Sequence, residues 1–459
     1  MSDAVSIKAT SNRFDTWSLI NWREVENSVR STQIKIADAT RAQDWRRVRR
    51  LQNGLTNSFR AKLLAVKVVT SNKDKDTPGV DGILWNTDAR KLAGAKSLIR
   101  RGYKPSPLRL VEIPKKNGQT RPLGIPTMRD RAMQCLYKFA LEPVAEILAD
   151  KDPYGFRPKR RCQNAIEQLF SVFGQKHSAK WILEGAIEKC SNQISHEWLM
   201  QNVHMDRGIL DKWLKAGFIW NGALFPTRES TPQGGIMSPV LANLALDRIE
   251  DVINAKFGWK SGQRKKLCIH LVRYAGDFII TCSREDILKE EVMPLLNEFL
   301  SMRGLKLSAS KTRITRIEHG FDFLGFNIRK YKGKVLIKPS KESVERFLRE
   351  VKNIFSSNKS EKQSKLIRLL NRKIQGWCNY YKHVVSKETF SYIRFRIWRM
   401  CWRWSVRRHP NKGRKWVKDR YFREIKGNNW RFSDEKEAQT LIDPSTIPIR
   451  GPKKNPKEY

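Results

Sequence analysis

The chain is short of acids. Its 459 residues carry 46 Asp and Glu against 90 Lys and Arg, a formal net charge of +44. Paired cysteines are also missing: seven are scattered with no Cys-x-x-Cys spacing, which argues against a disulfide framework and a structural zinc site. No apolar run approaches the roughly 18 residues of a membrane span. Met1-Ser2-Asp3-Ala4 lacks the basic start and apolar stretch of a secretory leader, so an intracellular, cytoplasmic protein away from membranes is expected. What is present is an ordinary apolar content of 40%, enough for real cores and against wholesale disorder.

A charge excess of this size repels itself unless a polyanion neutralises it. The excess runs along the whole chain, so a large nucleic acid is the default partner. No segment reads as a clean basic amphipathic anchor for a lipid surface.

Residues 14–70 have helical spacing, with Trp17, Ile20, Val25, Val29 and Ile34, then Trp45, Val48, Leu51 and Leu55 on the apolar positions. A hairpin is expected over 108–126, turning at Asn117-Gly118, and an amphipathic helix over 127–150. A short apolar strand covers 180–187. Two strand-like runs, Leu267–Arg273 and Phe278–Ser283, flank Tyr274-Ala275-Gly276-Asp277, the tip of a second hairpin. Helical, basic sequence begins at Ser340, a plausible N-cap, and the tail after Ile425 reads as loosely ordered. Strands and helices mix without regular βαβ alternation, which points to an α+β fold. Four regions are expected: an N-terminal helical extension and start of fingers (1–105), fingers and palm (106–330), a helical thumb with a basic extension (331–425) and the tail (426–459).

Several segments fall in a distinctive order: Thr77-Pro78-Gly79-Val80-Asp81-Gly82, Arg121-Pro122-Leu123-Gly124-Ile125-Pro126, Tyr154-Gly155-Phe156-Arg157-Pro158, Pro232-Gln233-Gly234-Gly235-Ile236-Met237-Ser238-Pro239, the Tyr274 hairpin, Gly320-Phe321-Asp322-Phe323-Leu324-Gly325-Phe326 and Gly376-Trp377-Cys378-Asn379-Tyr380-Tyr381. Together they resemble the reverse transcriptase–maturases encoded within group II introns. The resemblance spans about residues 14–425. It implies a right-hand polymerase with fingers, palm and a helical thumb called domain X. It also implies RNA-directed DNA synthesis and binding of the parent intron RNA, which is itself the splicing catalyst.

The family's polymerase site holds two divalent metals on carboxylates. One family carboxylate falls on Ala186, in Glu184-Gly185-Ala186-Ile187-Glu188, and another on Gly276; the later aspartate and the aromatic sugar gate fall on Asn192 and Ser191. Mg²⁺ demands oxygen ligands, so only Asp277 remains, a weak site alone. Glu184 and Glu188 are displaced by roughly 6–7 Å along the strand and do not replace the loss. Read locally, Ala-Gly-Asp is also simply a good turn, with glycine tolerating positive φ. The resemblance further implies a triphosphate pair, Lys115 and Arg121, and a template platform at Gln233 and Lys311.

Between Arg394 and Arg423 lie twelve Lys and Arg against a single acid, Asp419, with Trp398, Trp402, Trp404 and Trp416 interleaved. At least two of these tryptophans are expected in the core, with Ile397, Met400 and Cys401. Arg396, Arg399, Arg403, Arg407, Arg408, Lys412, Arg414 and Lys415 are the candidate RNA contacts; Arg407-Arg408-His409-Pro410 resembles a family motif just beyond the thumb. Folded RNA is read largely by shape and backbone, which suits a broad basic face. The chain ends at Tyr459 without the Cys and His ligands of the endonuclease domain found in some relatives, so second-strand cleavage is not expected of it.

The expectation is therefore an RNA-binding maturase on a scaffold whose polymerase site is degenerate. Mg²⁺ would enter mainly with the bound ribozyme, and target DNA through the ribonucleoprotein. The alternative is an active RNA-directed DNA polymerase supporting intron mobility.

Overall fold

The computed structural model describes residues 16–114, 118, 120–175, 177–190, 193–220, 222–226, 234–258, 262–425 and 427–451. Three helices open it: α1 (Trp22–Arg41), α2 (Trp45–Asn57) and α3 (Phe59–Ser71). The side chains of Asn21 and Asp44 accept from the N3 amides of Glu24 and Arg47, which fixes where α1 and α2 begin. Val25, Val29 and Ile36 lie on the buried face of α1. Ile34 does not; it is 54% exposed, because two residues along a helix turn a side chain to the far face. Helix α4 (Asp88–Ser97) follows, then β1 (Leu108–Pro114) and β2 (Thr120–Ile125), the expected hairpin.

Helix α5 (Met128–Leu148) is buried on nearly every side in its first half rather than on one stripe. The chain continues through α6 (Cys162–Phe173), β3 (Trp181–Ala186), α7 (His196–Asn202), α8 (Arg207–Leu214), and β4 (Phe218–Trp220) with β5 (Ala223–Phe225), which extend the first hairpin into a sheet of order β2-β1-β4-β5. Helices α9 (Ser238–Leu246), α10 (Ile249–Phe257) and α11 (Gln263–Lys266) lead to β6 (His270–Tyr274) and β7 (Asp277–Cys282), followed by α12 (Met293–Ser301) and β8 (Arg313–Arg316). The palm sheet is β6-β7-β3-β8, antiparallel throughout.

Alternation along these strands joins two cores. Leu183, Leu271 and Ile280 pack with the N-terminal and fingers helices. Their neighbours Ile182, Val272 and Ile279 pack with the C-terminal third. That third starts with a small sheet, β9 (Phe321–Phe323), β10 (Phe326–Tyr331) and β11 (Lys334–Pro339), and passes to α13 (Lys341–Ser357), α14 (Gln363–Tyr381) and α15 (Lys387–Arg408). Ser340 caps α13, its hydroxyl accepting from Ser343 N.

Two of the ordered motifs meet here. Tyr380 donates to Leu324 O at 2.9 Å and Tyr381 to Gly325 O at 3.1 Å. Gly325 has φ +82°, and a Cβ on it would stand 2.7 Å from the Tyr381 hydroxyl, so glycine is required.

The tail is not loose. After α16 (Arg414–Tyr421), β12 (Phe422–Ile425), β13 (Asn428–Asp434) and β14 (Gln439–Thr440) form an antiparallel sheet. Phe432 and Leu441 are buried against α14–α16, and Gln363 on α14 donates to Tyr421 O and Ser433 O. The polar composition concealed these few anchoring apolar residues.

Candidate functional site

The polymerase-like site lies where β3 and β7 end. Ala186 pairs directly with Asp277, Ile187 N donates to Gly276 O at 2.9 Å, and Ser308 N donates to Ala186 O at 2.8 Å. The resemblance-derived ligand positions are thus adjacent, and their side chains are a methyl, a hydrogen and one carboxylate. The turn does not explain the glycine: the left-handed residue is Ala275, at φ +54°, while Gly276 has no positive φ. A Cβ at 276 would stand 3.3 Å from Cys190 Cβ, so an aspartate there needs Cys190 to give way by a few tenths of an ångström.

Glu184 is already committed. Its carboxylate accepts a two-pronged bond from Arg313, at 2.8 and 3.1 Å. Glu188 is exposed past the end of β3. Burial of the surrounding protein raises the Asp277 carboxyl above its ordinary value, with Lys311 opposing the rise. The structure therefore brings Lys311 to the one remaining acid. Among the described residues no three His, Cys, Asp or Glu converge as metal ligands. The donor set does not fit the metal pair that the polymerase fold implies.

The hairpin is held from below. Arg273, 1% exposed, donates to Asp247 Oδ1 at 2.5 Å, Asn243 Oδ1 at 3.1 Å and Ala275 O at 3.3 Å. Arg157, from the Tyr154-Gly155-Phe156-Arg157 motif, binds both oxygens of Asp247 at 2.9 and 2.8 Å. Burial pushes the Asp247 carboxyl up and the two guanidinium groups pull it back. A Cβ on Gly155 would sit 2.3 Å from Ala275 N, so the motif glycine lets the two backbones touch. The scaffold around the missing carboxylates is intact.

Arg121 is on exposed β2 opposite Ile113. Lys115, Gln233, Ser191 and Asn192 lie outside the described residues.

The basic candidates sort by helix geometry. Arg396, Arg399, Arg403 and Arg407 recur at three- and four-residue spacing and share one face of α15 with Tyr392. Arg399, Arg403 and Arg407 are exposed and Arg396 is half-buried. Arg396 also donates to the Tyr392 hydroxyl. Arg408 faces elsewhere: it donates to Lys359 O and Glu361 O, both at 3.0 Å, and its guanidinium covers the Trp404 ring at 4.5 Å. It fastens the loop between α13 and α14. Lys412, Arg414 and Lys415 are exposed at the start of α16, with the Lys412 ammonium 5.6 Å from the Trp416 ring centre. Cations at a helix N-terminus oppose the dipole, and Gly413 supplies no side-chain cap, so this turn suits an anion.

The tryptophans differ from expectation. Only Trp404 is fully buried; Trp398 and Trp402 are half-buried against Phe422 and Trp430, and Trp416 is 40% exposed. Met400 is half-buried, lining a cleft of about 790 Å³ between α13 and α15. That cleft adds Lys341, Arg349 and Lys352, which a reading of the 391–425 stretch alone missed. Their signal was present: on α13 they recur with near-helical spacing.

A palm sheet with its tip hairpin, helical fingers and a basic helical domain packed on the palm's other face define a protein of the reverse transcriptase fold. Residues 17–98 match the N-terminal domain of reverse transcriptase, 113–328 the reverse transcriptase (RNA-dependent DNA polymerase) family, and 344–422 the group II intron maturase-specific domain. The chain belongs to the group II intron-encoded reverse transcriptase–maturase family. It is 30% identical over 306 residues to protein YkfC of Escherichia coli strain K12, covering 58% of this chain and 79% of YkfC. It is 27% identical over 440 residues to group II intron-encoded protein LtrA of Lactococcus lactis subsp. cremoris, covering 75% of this chain and 72% of LtrA. With maturase-like protein 1 of Euglena gracilis the identity is 28% over 375 residues, covering 78% and 76%.

Proposed function

We propose that this chain is an intron maturase: it binds group II intron RNA and stabilises its splicing-competent fold, on a reverse transcriptase scaffold that no longer polymerises. The observation that carries this reading is a contrast within one molecule. The hairpin retains one carboxylate of its set, while Arg399, Arg403 and Arg407 of the α15 row stand exposed. A protein that binds only the folded RNA shifts the RNA's equilibrium by mass action, and no catalytic group is needed for that.

Mg²⁺ belongs to the RNA in this scheme, as does any contact with target DNA. Among the described residues no helix is long and apolar enough to cross a membrane. A cytoplasmic site of action is part of the proposal. The test pairs two assays on one preparation: primer extension on an RNA template with Mg²⁺, and splicing of a group II intron at low Mg²⁺ with and without protein. Splicing assistance without extension is the expected result. Robust extension would return the chain to the active polymerases and overturn the reading.

A further inference from the structure

Between α15 and the C-terminal sheet lies a cavity of about 550 Å³. Phe395 and Trp398 line it from the helix, Trp430 and Phe432 from β13, with Arg394 and Asp443 among its polar groups. We propose that this cavity takes a single unpaired nucleobase of the bound RNA; the proposal rests on the maturase reading above.

The chemistry of the walls matches a base. A nucleobase is planar, apolar on its faces and polar at its edges, and aromatic rings beside a guanidinium and a carboxylate meet both requirements. Trp430 stands edge-on to Trp398 and Trp402, with centroids 6.0 and 5.5 Å apart. Asp443 is buried and anchored: it accepts from Ser445 N at 2.9 Å and from Arg431 at 3.2 Å, and pairs with Arg394 at 3.4 Å.

Two further features point to an occupant. Trp430 has φ +66°, a conformation that costs a bulky residue energy and that clusters at ligand sites. Phe395 and Trp430 also leave large rings at the surface, 55% and 37% exposed.

Position supplies the ligand's identity. Phe395 is one helical turn from Arg399, whose guanidinium lies 5.7 Å from the Phe395 ring centre. Phe395 thus joins the cavity's rim to Arg399, at the edge of the arginine row proposed to meet RNA phosphates, while Arg394, Ile397, Trp398 and Cys401 line the cavity from the face of α15 away from Arg396, Arg403 and Arg407. A base held in a duplex is stacked and paired, and only an unpaired nucleotide can turn into such a site.

The test uses the full chain and two RNA duplexes of one sequence, one carrying a single bulged 2-aminopurine. The expected result is about tenfold tighter binding of the bulged RNA, with quenching of the 2-aminopurine. Phe395→Ala, at an exposed ring that does little for the fold, and Trp430→Ala each remove the preference and the quenching while leaving affinity for the plain duplex unchanged. Trp430→Phe keeps both. Arg399→Ala weakens both RNAs alike. Equal binding of the two RNAs by the unaltered protein, or quenching that survives both alanine variants, would overturn the pocket. Failure to bind either RNA would instead overturn the maturase reading, and the pocket with it.

Discussion

Ala186 and Asp277 face one another across the β3–β7 pairing, a methyl opposite a carboxylate at the point where polymerase chemistry needs acids on both strands. Backbone register here is regular, so carboxylates restored at 186 and 276 would stand beside Asp277. The double variant Ala186→Asp/Gly276→Asp places three carboxylates together. Without Mg²⁺ they repel, and the melting temperature is expected to fall by a few degrees; Mg²⁺ should recover it. Primer extension should rise at least about tenfold above the unaltered chain. No Mg²⁺-dependent recovery in a melting series would show that Cys190, close against position 276, keeps the restored carboxylates from sharing a metal.

The arginine row makes a quantitative prediction. Each arginine that neutralises a phosphate releases counterions and adds about one to the slope of log affinity against log salt. Replacing Arg396, Arg399, Arg403 and Arg407 with alanine should therefore flatten the salt dependence of intron RNA binding by about that amount per residue. Arg408→Ala should leave the slope unchanged and lower stability instead, because its donors hold the Lys359 and Glu361 carbonyls. A filter-binding titration across salt concentrations separates the two classes.

That separation marks what sequence could and could not tell. The hairpins, the α1–α3 helices and the Ser340 cap were legible because periodicity and capping are local. Ala186 and Gly276 were legible as departures because their neighbours kept the motif. Arg408 looked like its neighbours, since composition carries no information on which carbonyls a guanidinium will meet. The pairing of Glu184 with Arg313 was invisible for the same reason: it joins strands 129 residues apart. The C-terminal sheet was missed because a few buried residues, Phe432 and Leu441 among them, anchor a polar segment.

The charges beneath the hairpin should matter far more than those on the sheet surface. Arg273→Ala leaves Asp247 buried with one partner fewer, a change that costs about 3–5 kcal/mol. The side chain of Arg313 is 62% exposed but its partner Glu184 is 12% exposed, so Arg313→Ala should cost less than Arg273→Ala, about 1–2 kcal/mol. Equilibrium urea unfolding of the two variants gives the comparison. Equal losses would mean that the network under Tyr274 and Asp277 is not what braces the tip.

Asp150 gives the protein a pH dependence of predictable sign. Its carboxylate accepts from Arg248 N at 2.9 Å and from Glu250 N at 3.5 Å, capping the start of α10. Burial first, and then the Asp247 carboxylate, push its pKa up to about 6. In the unfolded chain the same group ionises near pH 4. Below pH 4 both states hold the proton and the contribution is fully present. Between about 4 and 6 the unfolded chain releases a proton that the fold retains, so stability is lost as pH rises through that window. A shift of this size corresponds to about 3 kcal/mol at full ionisation. Asp150→Asn removes the titration and keeps a side-chain acceptor for one of the two amides. The difference in unfolding free energy between unaltered protein and variant should therefore change by that amount between pH 4 and 7, with the variant gaining relative stability as pH rises. A difference that is flat with pH would mean that Asp150 is already ionised in the fold, with its charge satisfied by the α10 amides and Arg273.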